Sequence, residues 1–124
     1  MKVVVITGSP DWSERGPIAG VVIGADIVIV GDCPTGADQI AHDVARQNGL
    51  PTEKFHRHRA LDHGAQTECK AKNAAMASDA VGLRNDGHEI TCHAFPTARA
   101  AGTWDCCNKL RKVGFSVTIH RELQ

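Results

Sequence analysis

The chain has 124 residues, of which 42% are hydrophobic and 23% are charged, as is typical of one globular domain with a single core. Its 14 basic and 14 acidic residues give a formal net charge of zero, which argues against non-specific binding to nucleic acid. The apolar start is too short for a signal peptide, and the apolar run of residues 18–30 is interrupted by Asp26. We therefore predict one cytoplasmic domain over residues 1–124, with neither nucleic acid nor a membrane as a partner.

Five cysteines and seven histidines raise the question of disulfides or a metal site. The cysteines are odd in number and include no Cys-x-x-Cys pair, so we predict no disulfide framework. His56 and His58 share one face of a predicted strand, and His63 follows shortly after. Arg57 and Arg59 lie beside them and would repel a cation. We therefore predict neither a metal site nor a cofactor.

The first predicted element is a strand over residues 2–7, a β-branched run with almost no polar residues that indicates burial on both faces. Gly8 and Ser9 follow in a loop, where a glycine admits a ligand close to the backbone and a serine offers a hydroxyl. Trp12 has two interpretations, a cover over the ligand or a core residue, and a single aromatic beside a loop favours the core. A short helix over residues 16–23, with a proline at its first position, is predicted next.

The most informative stretch of the chain runs from residue 27 to residue 45. Ile27-Val28-Ile29-Val30 predicts a second strand, a glycine-bearing loop follows, and apolar residues at helical spacing start near Gly36. Thr35 and Asp38 have the spacing of a capping box, which would start the helix at that point. Free amides at a helix N-terminus suit a phosphate, although one loop of this kind is more often only a tight turn. The residues predicted to bind the ligand here are Gly31, Asp32, Thr35, Gly36, Ala37 and Asp38.

A third strand over residues 52–58 and an alanine-rich helix over residues 67–81 follow. The pattern of this helix predicts an apolar stripe, with Lys72 and Asn73 on its polar flank. Two partners are open for the stripe, the sheet of its own chain or a second copy of the chain in a homodimer. The residues of the predicted stripe are Ala71, Ala74, Ala75, Met76 and Ala80.

The C-terminal third of the chain predicts two more strands, with one helix between them. Gly102 and Thr103 lie where the loop meets this helix, Arg99 precedes them, and Asp105 falls in the first turn. The predicted elements are a strand at residues 89–95, a loop at residues 96–102, a helix at residues 103–113 and a strand at residues 115–120.

Five strands that alternate with helices predict a parallel sheet covered on both faces. The loops after the first, second and fourth strands carry glycine, and all three leave the carboxyl end of a strand. In such sheets, ligands bind beyond the carboxyl ends, where the winding direction reverses. We therefore predict a three-layer α/β fold with strand order 3-2-1-4-5 and a ligand site where these loops meet.

Several segments resemble motifs of the SLOG superfamily of nucleotide-binding proteins, which includes Smf, DprA and LOG. The opening Val3-Val4-Val5-Ile6-Thr7-Gly8-Ser9, with Asp11-Trp12 after it, is similar to the start of the YspA or YpsA-related branch. The segment Gly31-Asp32-Cys33-Pro34-Thr35-Gly36-Ala37-Asp38 resembles the G-G-x-x-x-G-A-D loop of that branch. Lys72-Asn73-Ala74-Ala75-Met76 resembles its R-N-x-x-M helix, and Phe95-Pro96 with Gly102-Thr103 loosely resembles its F-P-G-G-x-G-T element. The resemblance covers nearly the whole chain and implies a Rossmann-like nucleotide-binding domain.

Two functions follow from this resemblance. In the first, the chain binds a nucleotide or nucleotide-derived small molecule, as a sensor, carrier or sequestering protein. In the second, it is a LOG-like phosphoribohydrolase that cleaves the N-glycosidic bond of nucleoside 5'-monophosphates, with Asp105 and Lys72 as catalytic residues. Cys106 stands where such enzymes have a second acid, so we favour binding. The ligand-binding residues predicted outside the Gly31 to Asp38 segment are Gly8, Ser9, Trp12, Asn73, Arg99, Gly102 and Thr103.

Overall fold

The structure is a computed structural model that describes residues 1–60 and 66–122, in which five strands alternate with four α-helices. The strands are β1 (Lys2–Gly8), β2 (Ile27–Gly31), β3 (Phe55–His58), β4 (Glu89–Phe95) and β5 (Val117–Ile119). The helices are α1 (Arg15–Val22), α2 (Gly36–Gln47), α3 (Gln66–Asn85) and α4 (Ala101–Lys112). Neighbouring strands all pair in parallel in the order β3-β2-β1-β4-β5, which confirms the predicted fold class and strand order. His63, considered above as a metal ligand, lies outside the described residues.

Several element boundaries differ from the predicted ones. β3 begins at Phe55, because residues 52–54 form a short 3-10 helix after Pro51. α1 begins at Arg15, so Pro17 is its third residue rather than its first. The third amide of a helix also lacks an internal partner, which is why proline is tolerated there. β5 is shorter than predicted, with 3 residues.

Two hydrophobic cores lie on opposite faces of the sheet. Val4 and Ile6 of β1 belong to the core on the face covered by α1 and α2. Val3 and Val5 belong to the core on the other face, which α3 and α4 cover. Side chains alternate along a strand, so a strand with a core on each face needs apolar residues at nearly every position. This arrangement explains the unbroken apolar run that predicted β1.

α3 packs on its own sheet through a stripe that differs from the predicted one. Met76, Ala77 and Ala80 are buried, and Asn73 lies on the same stripe with 2% exposure. The prediction that Asn73 lies on the polar flank is therefore wrong. Packing of the predicted stripe on its own sheet is also wrong in part, because three of its alanines face away from the sheet and are exposed. They are Ala71, Ala74 and Ala75. Neither this helix nor any other within the described ranges has both the length and the apolar character needed to cross a membrane.

Trp12 is a core residue. Its side chain is 2% exposed and meets the Phe95 ring edge to face, with the ring centroids 5.2 Å apart. The indole Nε1 donates a hydrogen bond to the Glu14 carbonyl at 2.6 Å, which satisfies its polar end. The alternative interpretation, in which Trp12 covers a ligand, is therefore wrong.

The five cysteines are thiols and fall into two groups. Cys92, Cys106 and Cys107 are buried, and burial raises the pKa of Cys92 and of Cys106 to about 12. These three behave as small apolar residues of the interior. Cys33 and Cys69 are half-buried and lie near the carboxyl ends of the strands.

Candidate functional site

The three glycine-bearing loops meet beyond the carboxyl ends of the strands, as predicted. The Thr97 amide, after β4, donates to Ser9 Oγ at 2.9 Å, and Thr35 Oγ1, after β2, donates to the Pro10 carbonyl at 2.9 Å. Ser9 is fully buried, so its hydroxyl joins two loops and is closed to a ligand. The loop after β1 thus holds the loops after β2 and β4 on either side of it.

A cavity of about 550 Å³ opens beside these loops, between the strand ends and helices α3 and α4. Its volume is in the range of small-molecule sites, about 300 to 1,000 Å³. The predicted site residues on its wall are Gly8, Gly31, Asp38, Lys72, Asn73, Arg99, Gly102 and Thr103. The lining residues that were not predicted are Thr7, Pro10, Cys33, Cys69, Met76, Ala98, Ala100 and Ala101. Most of the second group are apolar and carry no chemical signature that a sequence could reveal.

Seven predicted site residues lie outside the cavity lining. Asp32 holds the chain that leaves β3, because its Oδ1 accepts the Ala60 amide at 3.0 Å. Ala37 is fully buried, and a Cβ placed on Gly8 would lie 2.3 Å from the Ala37 methyl group. Gly8 is therefore required by close packing between β1 and α2. The seven residues are Ser9, Trp12, Asp32, Thr35, Gly36, Ala37 and Asp105.

The N-terminus of α2 differs from the predicted phosphate site. The Ala37 amide donates to the Ser9 carbonyl at 3.3 Å, and the Cys33 amide donates to Asp38 Oδ2 at 3.3 Å. Thr35 precedes the helix without a side-chain cap, so the predicted capping box does not form. Internal acceptors thus engage one amide of the first turn and one amide of the loop before it, and the Asp38 carboxylate adds negative charge. Both features disfavour an anion at this position.

Asp38 provides the negative charge of the cavity. Its side chain is 4% exposed yet lies on the wall, and it is the one carboxylate among the described lining residues. Burial raises the pKa of Asp38 from 3.8 to about 6, although the positive charges of Lys72 and Arg57 act in the opposite direction. At neutral pH the cavity therefore holds a carboxylate that is mostly ionised although it is buried from water.

Gly31 ends β2 directly beneath this carboxylate. A Cβ on Gly31 would lie 2.6 Å from Asp38 Oδ2 and 2.9 Å from Lys72 Nζ. The absence of a side chain therefore makes room for both charged groups over the strand end. Gly31 was predicted to admit a phosphate, and in the structure it admits an acid and a base.

Replacing Asp38 with asparagine should stabilise the protein above pH 6 and lose this effect near pH 4. Asparagine keeps an acceptor for the Cys33 amide but removes the charge whose burial is unfavourable. A pKa raised from 3.8 to about 6 means that the ionised side chain opposes folding above the higher value and is protonated in both states below the lower one. The gain in unfolding free energy should reach about 3 kcal/mol at pH 8.

Urea denaturation of Asp38→Asn at pH 4 and pH 8 measures this difference. Asp86→Asn, an exposed site in the turn after α3, is the control and should change stability by less than about 0.5 kcal/mol at both values. An equal effect of Asp38→Asn at the two pH values would contradict a raised pKa for the buried carboxyl group.

The first turn of α4 lies on the cavity wall. The helix begins at Ala101, two residues earlier than predicted, and its N-cap residue Ala100 provides no side-chain hydrogen bond. The amides of Ala101, Gly102 and Thr103 belong to the first turn, so they lack partners within the helix. All three residues line the cavity, and the exposed Arg99 lies beside them. This turn brings positive charge and amide donors to the cavity, and none of these donors has a partner among the described residues.

Asn73 fixes the position of this turn. Its Nδ2 donates to the Gly102 carbonyl and to Asp105 Oδ2, both at 3.0 Å. The side chain is 2% exposed, and buried hydrogen bonds of this kind hold their partners in one geometry. Asn73 therefore couples α3 to the start of α4 as well as lining the cavity.

Asp105 has a structural role in α4. Because the helix starts at Ala101, Asp105 is its fifth residue and lies outside the first turn. Its oxygens accept Lys109 Nζ at 2.8 and 2.6 Å and Asn73 Nδ2 at 3.0 Å. Burial acts to raise the pKa of Asp105, but these hydrogen bonds outweigh it and hold the pKa below its usual value. An ionised carboxylate engaged in this way is poorly placed to act on a ligand.

The histidines of β3 contact α3. His56 Nδ1 and His58 Nε2 each lie 2.8 Å from Asp79 Oδ2. Arg57 points to the opposite face, where its Nη2 donates to Gln39 Oε1 at 3.1 Å. Alternate residues of β3 thus hold α3 on one face and α2 on the other. Within residues 1–60 and 66–122, no group of three or more His, Cys, Asp or Glu side chains is arranged to hold a metal ion.

No protein-family model matches the chain, and no curated protein matches its sequence.

Proposed function

We propose that the chain binds a nucleotide or another phosphate-bearing small molecule, as its resemblance to the SLOG superfamily implies. The observation that carries this proposal is the first turn of α4, which lacks a side-chain cap and opens into a cavity also lined by Lys72 and Arg99. Amides without partners in the helix, the positive end of a helix dipole and the neighbouring guanidinium group of Arg99 all attract a phosphate. In this proposal the phosphate lies at the start of α4, beside the predicted ligand-binding residues Gly102 and Thr103, and not at the start of α2.

The carboxylates of the site favour binding over hydrolysis. Glycoside-cleaving enzymes generally use a pair of carboxylates on either side of the bond that breaks. Among the described lining residues Asp38 is the one carboxylate. Asp105 accepts hydrogen bonds from Lys109 and Asn73 instead. A role as a sensor, carrier or sequestering protein needs no such pair. We place this role in the cytoplasm, where cysteine thiols are kept reduced.

Arg99→Ala should weaken the binding of AMP by about tenfold, because it removes a charge-assisted contact with the phosphate. Arg99 is exposed, so its loss should leave the fold intact. The control is Arg46→Ala, an exposed arginine in the last turn of α2, at the end of that helix away from the cavity. Isothermal titration calorimetry of both variants and the parent chain measures the dissociation constants. Equal affinities in all three would remove Arg99 from the phosphate site.

Thermal-shift measurements with inorganic phosphate, AMP, NAD and ADP-ribose test the proposal as a whole. Any ligand that binds the folded state alone raises the melting temperature by mass action. If none of the four does so, the chain is not a phosphate-binding protein of this class. Chromatography of AMP incubated with the protein tests the hydrolytic alternative, since release of adenine would show catalysis in place of simple binding.

A further inference from the structure

The cavity has two chemically different ends. The first turn of α4 follows β4, whereas Asp38 and Lys72 lie over the end of β2. β1 lies between these strands, so the two ends are separated by about 10 Å, twice the spacing of neighbouring strands. A ligand that fills the cavity therefore meets free amides at one end and a carboxylate beside an ammonium group at the other.

We infer that the β2 end of the cavity binds the vicinal hydroxyl groups of a sugar, so that the ligand is a ribose phosphate. This inference rests on the proposed function, because the phosphate at α4 sets which part of the ligand reaches Asp38. It narrows the ligand class from any phosphate-bearing molecule to those with an intact diol.

The positions of Asp38 and Lys72, which both lie over Gly31, support a neutral hydroxyl group at this end. A carboxylate accepts hydrogen bonds and an ammonium group donates them, and a hydroxyl can satisfy both because it is donor and acceptor at once. A second phosphate would be repelled by Asp38, and an amine cation would be repelled by Lys72. Two adjacent hydroxyls match the acid and base pair without adding net charge.

The carboxylate of Asp38 has capacity for such a ligand. It accepts the Cys33 amide over a long 3.3 Å, and a carboxylate has about four acceptor positions. Asp32, the other acid of this loop, accepts the Ala60 amide and does not line the cavity. The structure therefore assigns diol recognition to Asp38 rather than to Asp32.

The test compares three probes by calorimetry: inorganic phosphate, AMP, and 2',3'-dideoxyadenosine 5'-monophosphate, which lacks both hydroxyls. The parent chain should bind AMP about tenfold more tightly than the dideoxy nucleotide, because the diol contacts a charged acceptor. Asp38→Asn should bring the two nucleotides to within about twofold of each other. The same variant should bind inorganic phosphate at least as well as the parent, since it removes a negative charge from the cavity. Asp43→Asn, a half-buried aspartate of α2 away from the cavity, should behave as the parent.

The outcomes separate the two proposals. If the parent binds none of the three probes, the proposed function fails. If it binds phosphate and both nucleotides with equal affinity, the phosphate site stands and diol recognition is overturned. If the parent prefers AMP and Asp38→Asn keeps that preference, the role of Asp38 is overturned. Should Asp38→Asn fail to fold, the comparison of AMP with the dideoxy nucleotide in the parent still decides diol recognition.

Discussion

Gly36→Ala should remove about 3 kcal/mol or more from the free energy of unfolding. Gly36 has φ +71, a conformation that strains an alanine, and it starts α2 against the backbone of the loop after β1. A Cβ at this position would lie 2.2 Å from the Ser9 carbonyl oxygen and 2.6 Å from the Pro10 Cα. Both obstacles are backbone atoms, so relief requires the loop or the helix to move.

Gly49→Ala is the matched control for this substitution. Gly49 has the same φ of +71, but no described atom lies within 4 Å of where its Cβ would be. Gly49→Ala should therefore lower the free energy of unfolding by the backbone strain alone, about 1 kcal/mol. Urea denaturation of the two variants isolates the contribution of the contact with the loop. Equal losses of unfolding free energy in the two variants would mean that the loop after β1 does not pack closely against the start of α2.

Asn73→Ala should lower the free energy of unfolding by about 2 kcal/mol and weaken phosphate binding as well. The substitution leaves the Gly102 carbonyl and Asp105 Oδ2 without their shared donor, and it opens a space beneath the first turn of α4. That turn is the proposed phosphate site, so its displacement should raise the dissociation constant for inorganic phosphate by about tenfold.

Asn108→Ala is the control, because Asn108 is an exposed asparagine on α4, the helix that Asn73 contacts. It should change stability by less than about 0.5 kcal/mol and leave phosphate binding unaltered. Denaturation and calorimetry on both variants give the two quantities separately. A stability loss in Asn73→Ala with unchanged phosphate affinity would show that the start of α4 does not hold the anion.

The sequence was sufficient to predict the sheet and the position of the cavity. The apolar runs of β1 and β2 indicate strands buried on both faces, and this pattern is strong because each strand faces two cores. The alternation of strands and helices then limits the topology to very few arrangements. Once the order of strands is set, the loops after β1, β2 and β4 must share one edge. The cavity lies at that edge.

The choice between two helix N-termini could not be made from the sequence. The start of α2 has glycines and a threonine at the expected spacing, whereas α4 starts after Ala100, which is a poor capping residue. Which amides remain available depends on contacts between distant segments, such as the Ala37 amide with the Ser9 carbonyl. No local pattern records such a contact, so the sequence predicted ligand-binding residues at the starts of both helices and could not rank the two.

The burial of polar side chains could not be predicted from the apolar periodicity of the sequence either. Asn73 lies on the buried stripe of α3 because Gly102 and Asp105 supply partners from another helix. A pattern based on apolar spacing assigns an asparagine to the solvent side, and this shifts the predicted stripe onto alanines that are exposed. The same limit applies to Asp38, whose burial depends on Lys72 and on the missing side chain of Gly31.

The position of the cysteines has a practical consequence. Cys33 and Cys69 lie on the cavity wall, while Cys92, Cys106 and Cys107 are enclosed in the interior. A maleimide or similar reagent should therefore react first with the thiols on the cavity wall. A ligand bound in the cavity should shield these thiols from the reagent. The native chain thus contains its own chemical reporter of occupancy, without an engineered label.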